Sequence, residues 1–494
     1  MSEIEPNTKT ASAPRRSNWW ALLWIGLPVV AGGILVFFMV HGWPAFLDQD
    51  NGNSGAPFLS ADGRYLVFAS EDPGIVAGDD NKCHGRYNCS DVFVKDIYSG
   101  ETMLVSTNSE GVSGEGDSGL ERAYPVISND GRYVVFGSAS ANFGAAMNIT
   151  QNLYVKDLQT GKLTPIVESF AGPYHLSASY PAISGDGRIV AFWSLSKLVD
   201  EDTDEHFDVY VKDLSTGTLE RVSVDDKGRQ RKTYGGGDPH SAPSLSEDGR
   251  YVAFGLDEYQ PVHKTNVSDN RWQIFVKDRK TRELHIASST ANAEPGDEDS
   301  HGGSISSDGR FIVFASSATN LVTGKSCQKA NSSCPNIYLK DMRSGEIKLI
   351  STSASGETMD NAGNPVISGD SRFVAYVSSE YNMPSRDMQE IDESYQFVKS
   401  RVYIWDREKD ESLPVNSDDG DLREGSPTIS ANGHFVGFTA TSSLASEDRK
   451  CETHRTTPGF LGIRNSAPEK PCKEVYVKDM QTGELTRVSS GFEE

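Results

Sequence analysis

The sequence predicts an all-β protein, a seven-bladed β-propeller, and two observations carry that prediction. First, one motif recurs seven times: an apolar run ending in Ser, an x-Asp-Gly-Arg turn, a second apolar run, and a third run that closes in Lys-Asp before a Thr-Gly turn. Second, the repeat period is roughly sixty residues, within the range of propellers and solenoids. Because such units need neighbours on both faces, we expect seven of them to stack radially into a ring.

Each repeat predicts four short antiparallel strands. In the first repeat, the tripeptide before Ser60 is the first strand, and Asp62-Gly63 is a tight turn because Gly accepts positive φ without a steric cost. The runs Tyr65–Phe68 and Val92–Val94 are apolar throughout, as strands buried on both sides should be. The fourth strand mixes charges into the alternation, for example over Thr486–Val488, which suits an outer strand protected against edge pairing.

A long apolar run precedes the repeats. Trp19 to Val40 holds 22 residues without a charge, which is long enough to cross a bilayer. Two arginines precede the run and two aspartates follow it, so the positive-inside rule places the N-terminus in the cytoplasm. A cleaved signal peptide is the alternative, although the run is longer than a usual signal segment. We expect a cytoplasmic tail over 1–18, a transmembrane signal anchor over 19–42, a linker over 43–55 and the propeller over 56–494.

The six cysteines fall in pairs, each between the second and third strands of one repeat. Six cysteines allow many connectivities, but this grouping favours pairing within a repeat. Zinc is the rival interpretation, but the chain has no Cys-x-x-Cys and no fitting His set. Local disulfides indicate an oxidising compartment, which with the predicted topology means the periplasm, outside the inner membrane of a Gram-negative cell, or the cell exterior. The predicted pairs are Cys83–Cys89, Cys327–Cys334 and Cys451–Cys472.

The chain is acidic, with 70 acidic against 47 basic residues and a formal net charge of −23. Such a surface repels nucleic acid and anionic lipid, so we expect no nucleic-acid partner. The acids collect in the second-to-third-strand loops and in the connections between repeats, which share one face of the ring. We call it the loop face, and the opposite one the tight-turn face. Because function concentrates in variable loops on a rigid scaffold, we predict that the loop face binds a basic protein, in the same membrane, through Asp297, Glu298, Asp299, Asp418, Asp419 and Asp421.

One acidic loop has the spacing of a cation site. Carboxylates two residues apart on a tight loop can converge on a hard cation that prefers oxygen ligands. A solvated acidic loop is the alternative, and we expect no other cofactor. The hypothesis is a calcium site formed by Asp200, Asp202, Asp204 and Asp208.

The Ser-x-Asp-Gly-Arg turn, the aromatic and aliphatic strand after it, and the Val-Tyr-Val-Lys-Asp strand with its Thr-Gly turn resemble TolB-type propeller repeats of bacterial exported proteins. The resemblance covers all seven repeats, from Ala56 to Ser490. It implies a WD-repeat-like propeller fold and an exported location. Relatives of this class look like non-catalytic protein-binding modules of the cell envelope, but the fold alone does not define a function.

Catalytic motifs are scarce. Gly116-Asp117-Ser118-Gly119 copies the nucleophile signature of chymotrypsin-like proteases but lies in a polar connection, and the chain has no Gly-x-Ser-x-Gly elbow, phosphate loop or dinucleotide fingerprint. We therefore predict a non-enzymatic, membrane-anchored binding or scaffold subunit of a bacterial envelope complex. A propeller enzyme, such as a glycan lyase or hydrolase acting over the central channel, is the alternative. Four loop histidines could meet there: His175, His206, His240 and His301.

Overall fold

Seven four-stranded antiparallel sheets, each formed by strands of one repeat, make up the propeller. This confirms the predicted all-β, seven-bladed architecture. The structure is a computed structural model, and it describes residues 54–489 apart from 73, 77–88, 120–121, 145–151, 168–177, 205, 231–240, 261–268, 324–334, 354–355, 357, 360, 381–398, 417–426, 442–449, 452–469 and 472.

The strands of blades 1 to 4 follow the repeat. Their order in each sheet is the order in the chain. A short 3-10 helix, Ala141–Phe143, lies in blade 2. The strands are β1 Ser54–Leu59, β2 Tyr65–Ser70, β3 Asp91–Asp96 and β4 Thr102–Leu104 in blade 1; β5 Val126–Ile127, β6 Tyr133–Ser138, β7 Asn152–Asp157 and β8 Leu163–Pro165 in blade 2; β9 Ser179–Ile183, β10 Ile189–Ser194, β11 Asp208–Asp213 and β12 Leu219–Arg221 in blade 3; and β13 Ser244–Leu245, β14 Tyr251–Gln260, β15 Asp269–Asp278 and β16 Leu284–Ile286 in blade 4.

Blades 5 to 7 repeat the plan with one addition. In blade 7 a separate two-stranded sheet, β27 and β28, lies in sequence between the second and third strands. The strands are β17 Ser300–Ile305, β18 Phe311–Ser316, β19 Asn336–Asp341 and β20 Ile347–Leu349 in blade 5; β21 Ala362–Ile367, β22 Phe373–Glu380, β23 Lys399–Asp406 and β24 Glu411–Pro414 in blade 6; and β25 Thr428–Ile429, β26 Phe435–Thr441, β27 Lys450–Cys451, β28 Lys470–Pro471, β29 Lys473–Asp479 and β30 Leu485–Arg487 in blade 7.

In blades 1 to 6 the arginine of the tight turn binds the aspartate that ends the third strand of the same blade; blade 7 has His434 in place of the arginine. In blade 1, Arg64 Nε and Nη2 donate to Asp96 Oδ2 at 2.9 and 2.7 Å. This pair joins the first turn of the blade to its second turn, and it gives the repeated Arg and Asp positions a structural role. We call this Arg–Asp ion pair a staple. It recurs as Arg132–Asp157, Arg188–Asp213, Arg250–Asp278, Arg310–Asp341 and Arg372–Asp406.

These staples should make the ring sensitive to acid. The paired arginines hold the pKa of Asp278 and of Asp341 at about 2, against an ordinary value of 3.8. A carboxyl with a depressed pKa stabilises the fold fully above its unfolded pKa and loses that contribution as pH falls through its folded pKa. We therefore expect the midpoint of thermal unfolding to fall between about pH 4 and about pH 2. A midpoint that is flat over this window would contradict the role given to the staples.

Blades 1 and 7 close the ring through apolar packing and hydrogen bonds. Leu59 and Phe68 of blade 1 share a buried cluster with Phe435 of blade 7. Leu59 N donates to Thr428 Oγ1 at 3.0 Å, and Gly63 lies against the Phe435 ring. Within the described part of the chain every blade consists of strands from its own repeat, as predicted, so neither end of that part adds a strand to the blade of the other.

A chain of backbone hydrogen bonds runs round the ring at the tight-turn end. At five of the seven junctions between blades it links the residue between Ser and Asp of one turn to its counterpart in the next blade, and at the junction of blades 6 and 7 the donor is the Asp of the turn, Asp370. The side chains of Asn129 and Glu247 flank Gly185, where a Cβ would come within 2.3 and 2.7 Å of them. The donor-to-acceptor steps are Ala61 to Asn129, Asn129 to Gly185, Gly185 to Glu247, Glu247 to Ser307, Asp370 to Ala431 and Ala431 to Ala61.

Two sequence predictions fall largely outside the described residues. The predicted span, 19–42, is one of them, and among the residues that are described no helix is long and apolar enough to cross a membrane. Strand β1 begins at Ser54, inside the segment predicted as a linker. Of the cysteines, Cys89 is buried and disulfide-bonded, and Cys451 is described only by its backbone, which pairs with Lys470. Cys83, Cys327, Cys334 and Cys472 lie outside, so the three pairings stay predictions.

Candidate functional site

The loop before β11 brings three of the four predicted cation ligands together. The carboxylates of Asp202, Asp204 and Asp208 each offer an oxygen within 4.8 Å of the others. Asp202 and Asp208 are buried and Asp204 is half-buried, whereas Asp200 is exposed and does not join the group. Three of the four carboxylates that the spacing singled out therefore lie together.

A guanidinium group already lies between the two buried carboxylates. Arg221 Nη1 donates to Asp202 Oδ1 at 3.1 Å and to Asp208 Oδ2 at 3.2 Å. Its Nη2 donates to the carbonyl oxygen of Glu201 at 2.9 Å, and only 3% of the side chain is exposed. Asp202 also accepts a hydrogen bond of 2.5 Å from Tyr210 Oη. The cation that this geometry favours is the chain's own arginine, and calcium binding stays a prediction.

At the position of Asp208, other blades also have a side chain that bonds a serine after the fourth strand. The Ser223 hydroxyl donates to Asp208 and accepts from Val209 N. The same bridge between the start of the third strand and the end of the fourth occurs with carboxylates and with amides, so it does not need a cation. Burial raises the pKa of Asp208 to about 6, against the opposing effects of Ser223 and Arg221. Equivalent pairs are Asp91–Ser106, Gln273–Ser288, Asn336–Ser351 and Glu474–Ser489.

The predicted partner-binding acids near blade 5 are mostly engaged inside the ring. Asp297 accepts hydrogen bonds from Thr319 N and Oγ1 at 2.6 and 2.5 Å. Asp299 Oδ1 accepts from Trp272 N at 2.8 Å. Glu298 is exposed, and its nearest cation is Arg271, 3.9 Å away. Asp297 and Asp299 thus stabilise the loops through hydrogen bonds, whereas Glu298 is exposed to solvent. Asp418, Asp419 and Asp421 lie outside the described residues.

The central channel carries a feature that sequence reasoning missed. Four of the first strands bulge near their start, on the loop face, and the four bulged residues differ in type, so no local motif announces them. Bulges often lie beside functional sites, where they re-aim a side chain. The loop-face mouth of the channel is therefore a candidate binding site. The bulged residues, all with positive φ, are Ala56, Tyr180, Gly302 and Asn364.

Two residues of blade 2 lie beside that mouth. Arg122, with a φ of 65°, is exposed, and its carbonyl oxygen accepts a hydrogen bond from Tyr180 N of blade 3. Tyr124 is 50% exposed. The Arg122 guanidinium and the Tyr124 ring can bind a polar ligand. The contacts described for these two residues do not include an acid and a base placed to transfer a proton.

The predicted catalytic groups do not assemble within the described part of the chain. His206 lies in the blade 3 loop, with Nδ1 3.2 Å from Asp204 Oδ1, whereas His301 lies on β17 of blade 5. His175 and His240 are not described. The hydroxyl of Ser118, in the protease-like tetrapeptide, is buried and bonds Ser138 Oγ at 2.9 Å. That serine is a structural residue of the connection.

The comparisons with known proteins agree with the repeat pattern. No family model matches the chain. A segment of 102 residues is 35% identical to the Tol-Pal system protein TolB of Francisella tularensis, and it covers 21% of this chain and 20% of that protein. The chain thus spans about a fifth of the length of the curated relatives it matches. The protein is a β-propeller, and a segment of it is similar to TolB.

Solved structures with a similar fold include TolB proteins and an oligogalacturonate lyase. TolB from Acinetobacter baumannii has a TM-score of 0.40 and 15% identity, covering 86% of this chain and 80% of its own. Oligogalacturonate lyase from Vibrio parahaemolyticus has a TM-score of 0.46 and 12% identity, covering 79% and 88%. These similarities say nothing about activity.

Proposed function

We propose that the chain is a membrane-anchored, extracytoplasmic propeller of the bacterial envelope that binds a protein partner through its loop face. The observation that carries the proposal is the 35% identity with TolB, a protein named for the Tol-Pal system, over 102 residues. Disulfide-bonded Cys89 supports an oxidising compartment. The apolar run within 19–42 supports an anchor in the inner membrane, with the propeller in the periplasm.

The loop face suits this role better than the tight-turn face. Its connections differ in length and sequence between blades, whereas the tight turns are uniform and their charges are used in internal staples. On the described part of the loop face, Glu298 projects a charge into solvent beside the braced Asp297 and Asp299. A basic partner would bind the Glu298 carboxylate without breaking the hydrogen bonds that Asp297 and Asp299 form within the loops.

Reversing this charge should weaken the partner's capture and leave the ring intact. We expect Glu298→Lys to reduce affinity roughly fivefold, because an exposed ion pair contributes about 1 kcal/mol at most. The loss should shrink at high salt. The measurement is capture of membrane partners by the full-length protein in mild detergent, followed by mass spectrometry.

Glu101→Lys is the matched control, because Glu101 is an exposed acid in a turn of the tight-turn face. Equal loss in both variants would place the binding surface elsewhere. Turnover of a glycan by the purified chain, without a stoichiometric partner, would instead favour an enzyme acting over the channel.

A further inference from the structure

Three lysines of the repeated Lys-Asp pair link a blade to the one before it. Lys156 lies near the end of the third strand of blade 2. Its Nζ donates to the carbonyl oxygens of Thr107 and Asn108, which follow the fourth strand of blade 1, at 2.9 Å each. All three lysine side chains are buried. The other two contacts are Lys277 Nζ to the carbonyl oxygens of Val224 and Asp225, at 3.2 and 3.1 Å, and Lys340 Nζ to those of Ser289 and Thr290, at 3.0 and 2.8 Å.

The acceptor carbonyls have a fixed place in the sequence. They belong to the first and second residues after a serine whose hydroxyl accepts a hydrogen bond from a backbone N–H of its own third strand. Because the acceptors are backbone atoms, the link does not depend on which side chains follow the serine. We therefore expect it wherever a blade ends in this serine and the next blade has the lysine. The three serines are Ser106, Ser223 and Ser288.

Blade 7 ends in the same serine. Ser489 Oγ accepts from Val475 N at 3.0 Å, and Val488 N donates to the carbonyl oxygen of Val475 at 2.7 Å. The corresponding residues of blade 1 form the same two bonds, so the chain leaves blade 7 as it leaves blade 1. Ser490 and Gly491 come next in the sequence and lie outside the described residues.

Blade 1, which follows blade 7 in the ring, has the lysine. Lys95 lies between Leu66 and Thr102 of the neighbouring strands, in the register that Lys156 has in blade 2. Burial lowers the pKa of Lys95, as it lowers that of Lys156. Among the described residues, however, Lys95 Nζ has no hydrogen bond or ion pair, and the side chain is only half-buried. An ammonium group that has lost part of its water needs acceptors in exchange.

We propose that residues 490 and 491 cross from blade 7 to blade 1, where the carbonyl oxygens of Ser490 and Gly491 accept hydrogen bonds from Lys95 Nζ. The segment adds no strand to blade 1. It gives the last junction of the ring the lysine link that three other junctions have, beside the apolar contact of Leu59 with Phe435. The inference concerns closure of the ring and does not depend on partner binding at the loop face.

Acetylation of the native full-length protein in detergent with an N-hydroxysuccinimide ester, followed by peptide mass spectrometry, tests the proposal. Lys156 is the internal reference for a linked lysine, and Lys280 for an exposed one. We expect Lys95 to react as slowly as Lys156. Removal of residues 490–494 should speed the reaction of Lys95 about tenfold, the factor that corresponds to the lower end of what hydrogen bonds to a charged group contribute. An unchanged rate for Lys156 in the shortened chain shows that the ring is still folded.

The full-length variant with both Glu493→Gln and Glu494→Gln is the control. It removes the two acidic side chains that follow Gly491 and keeps the backbone carbonyls, so Lys95 should stay protected. Loss of protection in this variant would assign the contact to a side-chain carboxylate and overturn the proposal. So would a Lys95 that reacts as fast as Lys280 in the parent chain, or at the same rate with and without residues 490–494.

Discussion

Replacing Arg221 by Met should lower the free energy of unfolding by about 3–5 kcal/mol, because it leaves two buried carboxylates without their cation. The arginine is 3% exposed and contacts both Asp202 and Asp208. Few other single substitutions would remove a buried positive charge that is paired with two buried carboxylates. Urea unfolding of the purified chain measures the loss.

Arg188→Met provides the matched comparison within blade 3. Arg188 also pairs with an aspartate, Asp213, but its side chain is 55% exposed. Exposed ion pairs contribute about 0–1 kcal/mol, so this variant should change little. If Arg221→Met and Arg188→Met lower the free energy of unfolding by similar amounts, burial of the ion pair does not determine the cost of breaking it. The same assay tests the calcium hypothesis: a rise of the parent midpoint with calcium would support it, and a midpoint unchanged by calcium and by a chelator would contradict it.

The second large effect is expected at the closure of the ring. Gly63→Ala should cost about 2–5 kcal/mol, from about 1–2 kcal/mol of left-handed backbone strain and about 1–3 kcal/mol of overpacking. A Cβ on Gly63 would lie 2.3 Å from the ring of Phe435 in blade 7. That ring is buried, and Tyr98 packs edge-on against it at 6.2 Å, so it cannot move away freely.

Gly100→Ala separates strain from contact. Gly100 has a φ of 75°, close to the 73° of Gly63, but no atom lies within 4 Å of the position that a Cβ would take there. It should therefore show the strain cost alone, and the difference between the two variants measures the packing between blades 1 and 7. Equal losses in thermal or urea unfolding would mean that this junction does not hold the ring closed.

The repeat made the fold predictable because each strand's environment is set by its position in the motif. Tyr65–Phe68 and Val92–Val94 lie inside β2 and β3 as expected. The start of β1 at Ser54 and the bulges of the first strands were not predictable, because they depend on pairing register rather than on local pattern. The long hairpin of β14 and β15 was missed for the same reason.

The candidate site was only partly predictable. The spacing of Asp202, Asp204 and Asp208 correctly indicated a cluster, but Arg221 reaches it through the pairing of β11 with β12, in which Tyr210 lies opposite Arg221. A motif search confined to the acidic loop does not contain that arginine. Likewise, the sequence pattern suggested that Asp297 is a free surface charge, whereas its carboxylate bonds Thr319, more than twenty residues further along the chain.

Site-specific photo-cross-linking in intact bacterial membranes shows whether a protein partner contacts the loop face. The cross-linking amino acid would replace Glu298 on the loop face in one full-length variant, and Gln159, an exposed residue of a tight turn, in another. We expect a discrete protein adduct from position 298 and none from position 159. An adduct from position 159 alone, or no adduct from either position, would contradict a protein-binding propeller that works through its loop face.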